Sequence, residues 1–224
     1  MIDKSEFISW KQKLTHKDVQ LVAVSKVHPP DKIRTLYEWG HRDFGENKVQ
    51  ELVNKYQELP KDIQWHLIGH LQRNKVKEVV DFVALIHSID SMRLLNKIEK
   101  EAAKVDRKVP ILLQLKIAEE ESKYGLDKEQ LISLSTKIAE GAYPHVQLNG
   151  LMGMASFSDD KEQLRREFGE LNSMFQFLKE DILSEIDSFN ICSMGMSGDY
   201  EIALEQGSNM IRVGSSIFGP RPYH

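Results

Sequence analysis

A single α/β domain over residues 1–224, folded as a (β/α)8 TIM barrel with an extra N-terminal helix, is what the sequence predicts. Three observations predict it. Short runs rich in β-branched and apolar residues alternate with charged stretches of helical spacing along the whole chain. Eight such runs fit within 224 residues. No low-complexity segment, Pro/Ser-rich linker or shift in composition marks a boundary between them. Strands that alternate with helices pair in parallel through right-handed crossovers. Closed barrels of this kind run as one unit over ~200–400 residues. A doubly wound open sheet is the alternative. No G-x-G-x-x-G follows the first strand, which weighs against a dinucleotide-binding version of it.

Taken in order, an amphipathic segment at 5–14 opens the chain. The expected strands are 19–25, 43–45, 63–69, 82–89, 109–117, 146–154, 189–192 and 209–213. The expected helices are 30–39, 48–56, 74–80, 91–105, 128–140, 161–186 and 200–206. Met174, Phe175, Phe177 and Leu178 stand at helical spacing in the longest of these and are expected to pack on the core.

The bulk chemistry narrows the function classes. A net charge of −4 supplies no global field for nucleic acid or an anionic membrane. The single cysteine, Cys192, excludes an intramolecular disulfide and points to a reducing compartment. The first residues lack the basic and apolar regions of a signal peptide, and no uncharged apolar run approaches ~18 residues. A cytoplasmic location is expected.

In a barrel, active groups sit where strands end, at the C-terminal mouth. Side chains alternate along a strand. If Leu21 and Ala23 pack on helices, Val22, Val24 and Lys26 face the bore, and Lys26 reaches the mouth. Apolar neighbours would desolvate its ammonium and leave it able to attack a carbonyl and form an imine. In the last strand Ile211 and Val213 suit the helix side, so Arg212 turns inward. A buried guanidinium needs acceptors, and a barrel carboxylate is the plain alternative to a ligand. Gly214-Ser215-Ser216 follows directly, and Met194-Gly195-Met196-Ser197-Gly198 ends the preceding strand. Loops after strands seven and eight are the usual phosphate cradle of barrels. Glycines admit backbone N–H groups to an anion, and hydroxyls add donors. An amine, an arginine and a phosphate cradle at one mouth fit pyridoxal phosphate. They fit a phosphorylated sugar in a Schiff-base aldolase equally well.

The residues also carry a resemblance. Ala23-Val24-Ser25-Lys26, Phe44-Gly45-Glu46-Asn47, Trp65-His66-Leu67-Ile68-Gly69 and His87-Ser88-Ile89-Asp90 occur in the order of one family's motifs. So do Glu121-Ser122-Lys123-Tyr124-Gly125, Gly150-Leu151-Met152 and Arg212-Val213-Gly214-Ser215-Ser216. Over nearly its full length the chain resembles the pyridoxal phosphate homeostasis proteins, related to the N-terminal barrel of alanine racemase. It departs from their pattern at His70, where proline is common, and at Gly198, where a second acidic residue is common.

The resemblance implies that pyridoxal 5′-phosphate, the active form of vitamin B6, is the cofactor, held as a Schiff base on Lys26. Arg212 would meet the pyridine nitrogen. Ser197, Gly214 and Ser215 would hold the phosphate, and Asn47 would lie beside the ring. A cation at the ring nitrogen disfavours its protonation and makes the ring a poor electron sink. The racemases add a second domain with a tyrosine acid, and six residues follow Phe218 here. Storage and delivery of the cofactor, with transient contact to apoenzymes and a monomeric state, are therefore expected, rather than catalysis. The alternatives are an amino-acid racemase, a Schiff-base aldolase, or a barrel that binds a phosphate ligand without covalent chemistry.

Four further features stand apart. His66 shares strand parity with Gln64 and Ile68 and reads as a core histidine with a satisfied hydrogen bond. His66 and His70 lack a third ligand at metal-binding spacing. Cys192 reads as a buried structural thiol. Arg73, Lys75 and Lys77 form a small basic cluster at an expected helix start.

Overall fold

The structure is a computed structural model that describes residues 2–15, 17–119 and 124–219. Its strands are β1 (Gln20–Val24), β2 (Asp43–Glu46), β3 (Gln64–Leu67), β4 (Leu85–Ile89), β5 (Val109–Gln114), β6 (Val146–Met152), β7 (Ile191–Ser193) and β8 (Met210–Val213). All pair in parallel, each with its sequence neighbour, and β8 closes on β1. The helices are α1 (Lys4–Thr15), α2 (Pro30–Glu38), α3 (Val49–Glu58), α4 (Met92–Lys104), α5 (Lys128–Ala139), α6 (Lys161–Phe177), α7 (Tyr200–Glu205) and α8 (Ser215–Phe218).

Alternation along the strands decides what lies inside. Leu21 and Ala23 pack outward with the helices, as do Trp65, Leu67, Cys192, Ile211 and Val213. Val22, Leu85, Leu112, Met152 and Met210 form a separate cluster that fills the bore. Gly45, facing inward, makes room there, since a Cβ would meet a Val22 methyl at 3.0 Å and an Ile68 methyl at 3.2 Å. Apart from this plug, the bore is polar, with His66, His87, Ser193 and Arg212 all buried.

Helix ends follow their capping chemistry. The Ser91 hydroxyl accepts from the Leu94 N–H and starts α4. Asp127 and Gln130 form a reciprocal capping box at α5, and Asp160 caps α6. Helix α1 lays Phe7, Trp10 and Leu14 against the barrel.

Three details differ from expectation. The segment expected as a helix at 74–80 is a 3-10 helix, Arg73–Glu78. Arg73-Asn74-Lys75-Val76-Lys77-Glu78 has one buried apolar residue, Val76, too little for a longer amphipathic face. The long helix ends as α6 at Phe177 and continues only as a π turn, Leu178–Ile182. Phe175 and Leu178 are buried and Met174 packs beside them, but Phe177 is exposed. At ~100° per residue Phe177 lies on the far side from Phe175. Helix α8 follows β8 directly and was not expected from the sequence.

Strand β6 carries an irregularity with a clear cause. Its pairing with β5 slips between Ile111 and Leu112, so that Ile111 faces Leu148 and Leu112 faces Gly150. Gly150 has φ +156°, and a Cβ on it would collide with the Ile191 carbonyl. Leu148 and Leu151 therefore both face outward, and Met152 enters the bore.

Candidate functional site

The loop after β1 carries Lys26, and a buried charge network grips both of its neighbours. The Ser25 hydroxyl donates to Glu46 Oε1 at 2.5 Å. Lys55 Nζ donates to the Ser25 carbonyl at 2.9 Å, to Glu46 Oε1 at 2.8 Å and to Glu51 Oε1 at 2.7 Å. The Val27 N–H donates to that same Glu51 oxygen at 2.7 Å. Val27 holds φ +62°, a region costly for a β-branched residue. Burial raises the Glu46 carboxyl to about 7 against the pull of Lys55 and Ser25. Its Oε2 is buried and has no hydrogen-bond partner among the described residues. In the sequence Glu46 stands out only as part of a motif, and Lys55 does not stand out at all, because its position on an amphipathic helix reads as solvated.

The end of β2 sets Asn47. Gly69, just beyond β3, packs so closely that a Cβ would collide with the Asn47 carbonyl. The loop after β7 is shaped by Gly195 at φ +97° and by the Met196 N–H, which donates to Asp199 Oδ1 at 2.6 Å. The loop after β8 joins it, because the Gly214 N–H donates to Ser197 Oγ at 3.4 Å. Gly214 also lets β8 lie against β1: a Cβ there would stand 3.1 Å from the Val24 carbonyl oxygen. Ser215 and Ser216 open α8, where the first N–H groups of a helix lack intrahelical acceptors.

Arg212 is buried inside the mouth. Its acceptors are the Ser193 carbonyl at 2.9 Å, Ser193 Oγ at 2.7 Å and the Gly153 carbonyl at 3.1 Å. Carbonyl and hydroxyl oxygens thus fill the place where the sequence left a barrel carboxylate as an alternative. These bonds use three of the five guanidinium N–H groups. Burial pulls the group down to about 10, still charged at neutral pH.

These elements enclose a cavity of about 330 Å³ at the C-terminal mouth. Lys26, Asn47, Ser197, Arg212, Gly214 and Ser215 all line it, so the six residues chosen from sequence come together. That volume is in the range of small-ligand sites. Lys26 is half-buried there, whereas Ser215 is exposed at the rim. His28, Met154 and Phe157 also line the cavity and carry no signal in the sequence that marks them. His28 stacks on Phe218 with centroids 5.0 Å apart, tying the β1 loop to α8.

The remaining sequence features resolve as follows. His66 is buried, with Nδ1 2.9 Å from His87 Nε2 and Nε2 3.2 Å from Asp43 Oδ1. His70 pairs with Asp90 and stacks on Tyr124. Cys192 is buried and its thiol is pushed up to about 12 by desolvation. Lys75 pairs with Glu78, and Arg73 borders a separate open groove with Arg93, Lys97 and Lys100. Of the motif at 121–125, residues 121–123 lie outside the described residues; Tyr124 O accepts from Gln114 Nε2 at 2.8 Å. Among the described residues no helix is long and apolar enough to cross a membrane.

The sequence model of the alanine racemase N-terminal domain matches residues 8–222. The pyridoxal phosphate homeostasis protein of Aquifex aeolicus is 37% identical over 205 residues, 91% of this chain and 88% of the relative. The structure of PipY from Synechococcus elongatus without PLP superimposes with TM-score 0.89 at 34% identity, covering 96% of this chain and 99% of that one. The same protein with PLP bound gives TM-score 0.86 at 33% identity, with the same coverage. The chain belongs to the pyridoxal phosphate homeostasis proteins, within the family of the alanine racemase N-terminal domain.

Proposed function

We propose that this protein holds pyridoxal 5′-phosphate covalently on Lys26 and stores or delivers it, without strong catalytic activity of its own. The observation that carries the proposal is the cavity in which Lys26, Arg212 and the two glycine loops meet. The binding of PLP by PipY, at 33% identity, supports it. So do the names of the relatives, which describe homeostasis rather than a reaction.

The residues fit the group. Pyridoxal phosphate supplies an electrophilic aldehyde, a pyridine nitrogen and an anionic phosphate. Lys26 would hold the aldehyde carbon, with Ser25 and Val27 pinned on either side. The Gly214 backbone, free of a Cβ, and the Ser197 and Ser215 hydroxyls would hold the phosphate. Arg212 would offer an unspent N–H to the ring nitrogen, and its positive charge disfavours a proton on that nitrogen. Asn47 would border the ring. Exposure of Ser215 and Gly198 at the rim leaves the phosphate side open for transfer to an apoenzyme.

Borohydride reduction of the loaded protein followed by peptide mass spectrometry tests this. The cofactor-derived mass is expected on the peptide containing Lys26, and the visible band is expected to vanish in Lys26→Ala. Modification at another lysine, or no uptake of added pyridoxal phosphate, overturns the proposal. Racemisation of free amino acids at enzyme-like rates would overturn its non-catalytic part.

A further inference from the structure

Below the cavity a file of polar side chains runs through the bore. It starts at Arg212, whose Nη1 donates to Ser193 Oγ at 2.7 Å. Ser193 Oγ lies 3.4 Å from His87 Nδ1. His87 Nε2 lies 2.9 Å from His66 Nδ1, and His66 Nε2 lies 3.2 Å from Asp43 Oδ1. Asp43 opens β2 at the end of the barrel away from the mouth, with a quarter of its side chain exposed. Ser193, His87, His66 and Arg212 are all buried. The members come from five points of the chain on β2, β3, β4, β7 and β8.

The end groups set the direction of every bond. Burial works to raise the Asp43 carboxyl, but the bonds from His66 and Gln20 hold it below its ordinary value. An ionised carboxylate only accepts. His66 must therefore present Nε2–H to it, and a singly protonated ring then has Nδ1 as an acceptor. His87 fills that acceptor with its own Nε2–H. Burial, with the neighbouring His66 and Arg212, keeps His87 well below the ordinary imidazole range, so the ring holds a single proton, and with that proton on Nε2 its Nδ1 is bare. That leaves Nδ1 to accept the Ser193 hydroxyl proton, and Ser193 Oγ to accept from Arg212. Among the described residues the charged and titratable groups facing the file are Arg212, with Asp199 and Cys192 acting on it, at one end and Asp43 with His41 at the other. Lys11 reaches it only through His41.

We propose that Asp43, His66, His87 and Ser193 are positioning residues for Arg212, forming a one-way hydrogen-bond relay that couples the Asp43 charge at the base of the barrel to the cofactor pocket at its mouth. Aligned bonds polarise one another in a buried setting. An anion at the base makes each group a better acceptor in turn up to Ser193 Oγ, and so fixes how much of the guanidinium charge remains for a ligand. The effect on the cofactor rests on the function proposed above. The relay itself does not.

Two measurements test it on the full chain. The first is histidine-ring ¹H–¹⁵N correlation spectroscopy on protein without added ligand. Both His66 and His87 are expected as the Nε2–H form, with pyridine-type Nδ1. An Nδ1–H form on either ring overturns the relay whether or not any cofactor binds. The second is a pH titration of the visible band after adding pyridoxal phosphate. Asp43→Asn keeps shape and an acceptor but removes the charge, and is expected to move the midpoint down by about half a pH unit. Glu99→Gln, which removes a charge beside His145 on the outside of the barrel, is expected to leave it in place. In a His87→Phe background the Asp43→Asn shift is expected to fall by more than half. An unchanged shift there would mean a field through space and overturn the relay. Should His87→Phe fail to fold, His66→Gln serves the same comparison. Absence of any visible band refutes the cofactor reading and leaves the ring tautomers to decide the relay.

Discussion

Lys55 Nζ stands 2.9 Å from the carbonyl oxygen of Ser25, the residue immediately before Lys26. A buried ammonium on α3 thus fixes the backbone from which the site lysine departs. Lys55→Met would leave Glu46 without its cation and free the Ser25 carbonyl. Breaking one partner of a buried pair costs about 3–5 kcal/mol. Urea unfolding should show a loss in that range, and Lys55→Met with Glu46→Gln should recover at least half. A single variant within about 0.5 kcal/mol of wild type would refute the network's role.

Glu46 also makes stability depend on pH. Its folded value of about 7 lies above the ordinary 4.5, so the folded state favours the protonated carboxyl. That stabilisation is complete below 4.5 and is lost as pH rises through 7. Glu46→Gln should gain on wild type across this window, by on the order of 1–3 kcal/mol. Chemical denaturation of both proteins at pH 5 and pH 8 reads the difference. A constant gap would contradict the assignment.

His41 acts with the opposite sign. Desolvation lowers it from 6.5 to about 4. The folded state prefers the neutral ring, so this stability is present above 6.5 and disappears as pH falls through 4. An NMR titration should find His41 neutral at pH 5.5, and the urea midpoint should drop between pH 6.5 and 4. A ring that titrates near 6.5 would show that burial is not felt.

Gly214→Ala places a Cβ 3.1 Å from the Val24 carbonyl oxygen and 3.3 Å from its Cβ. The strand end must shift, which moves the loop proposed to hold the phosphate. Affinity for pyridoxal phosphate should fall about tenfold, equivalent to about 1.4 kcal/mol. Ser197→Ala removes one hydroxyl and should cost about 1 kcal/mol. Equilibrium dialysis with the two variants checks both, and unchanged affinity in both would remove the glycine loops from the site.

Much of this was legible in the sequence because it is local. Strand parity alone turned Arg212 inward and Ile211 outward, and both lie so. Proximity at the mouth followed once the strands closed, since each of the six site residues sits just past or near a strand end. Lys55 was illegible because its partners, Ser25 and Glu46, lie on other elements. The pairing of His66 with His87 depends on the β3–β4 register, which periodicity does not supply. The 3-10 geometry of Arg73–Glu78 escaped because charge spacing alone does not separate it from an α-helix.

Gly150 has a consequence for how this chain tolerates change. With the extra residue at the β5–β6 slip, every position downstream in β6 has exchanged inside for outside. A side chain at 150 would collide with the Ile191 carbonyl and could not keep this slip. Met152 enters the bore and Leu151 faces the helices only while the slip holds. The smallest residue in β6 thus guards the orientation of those that follow it.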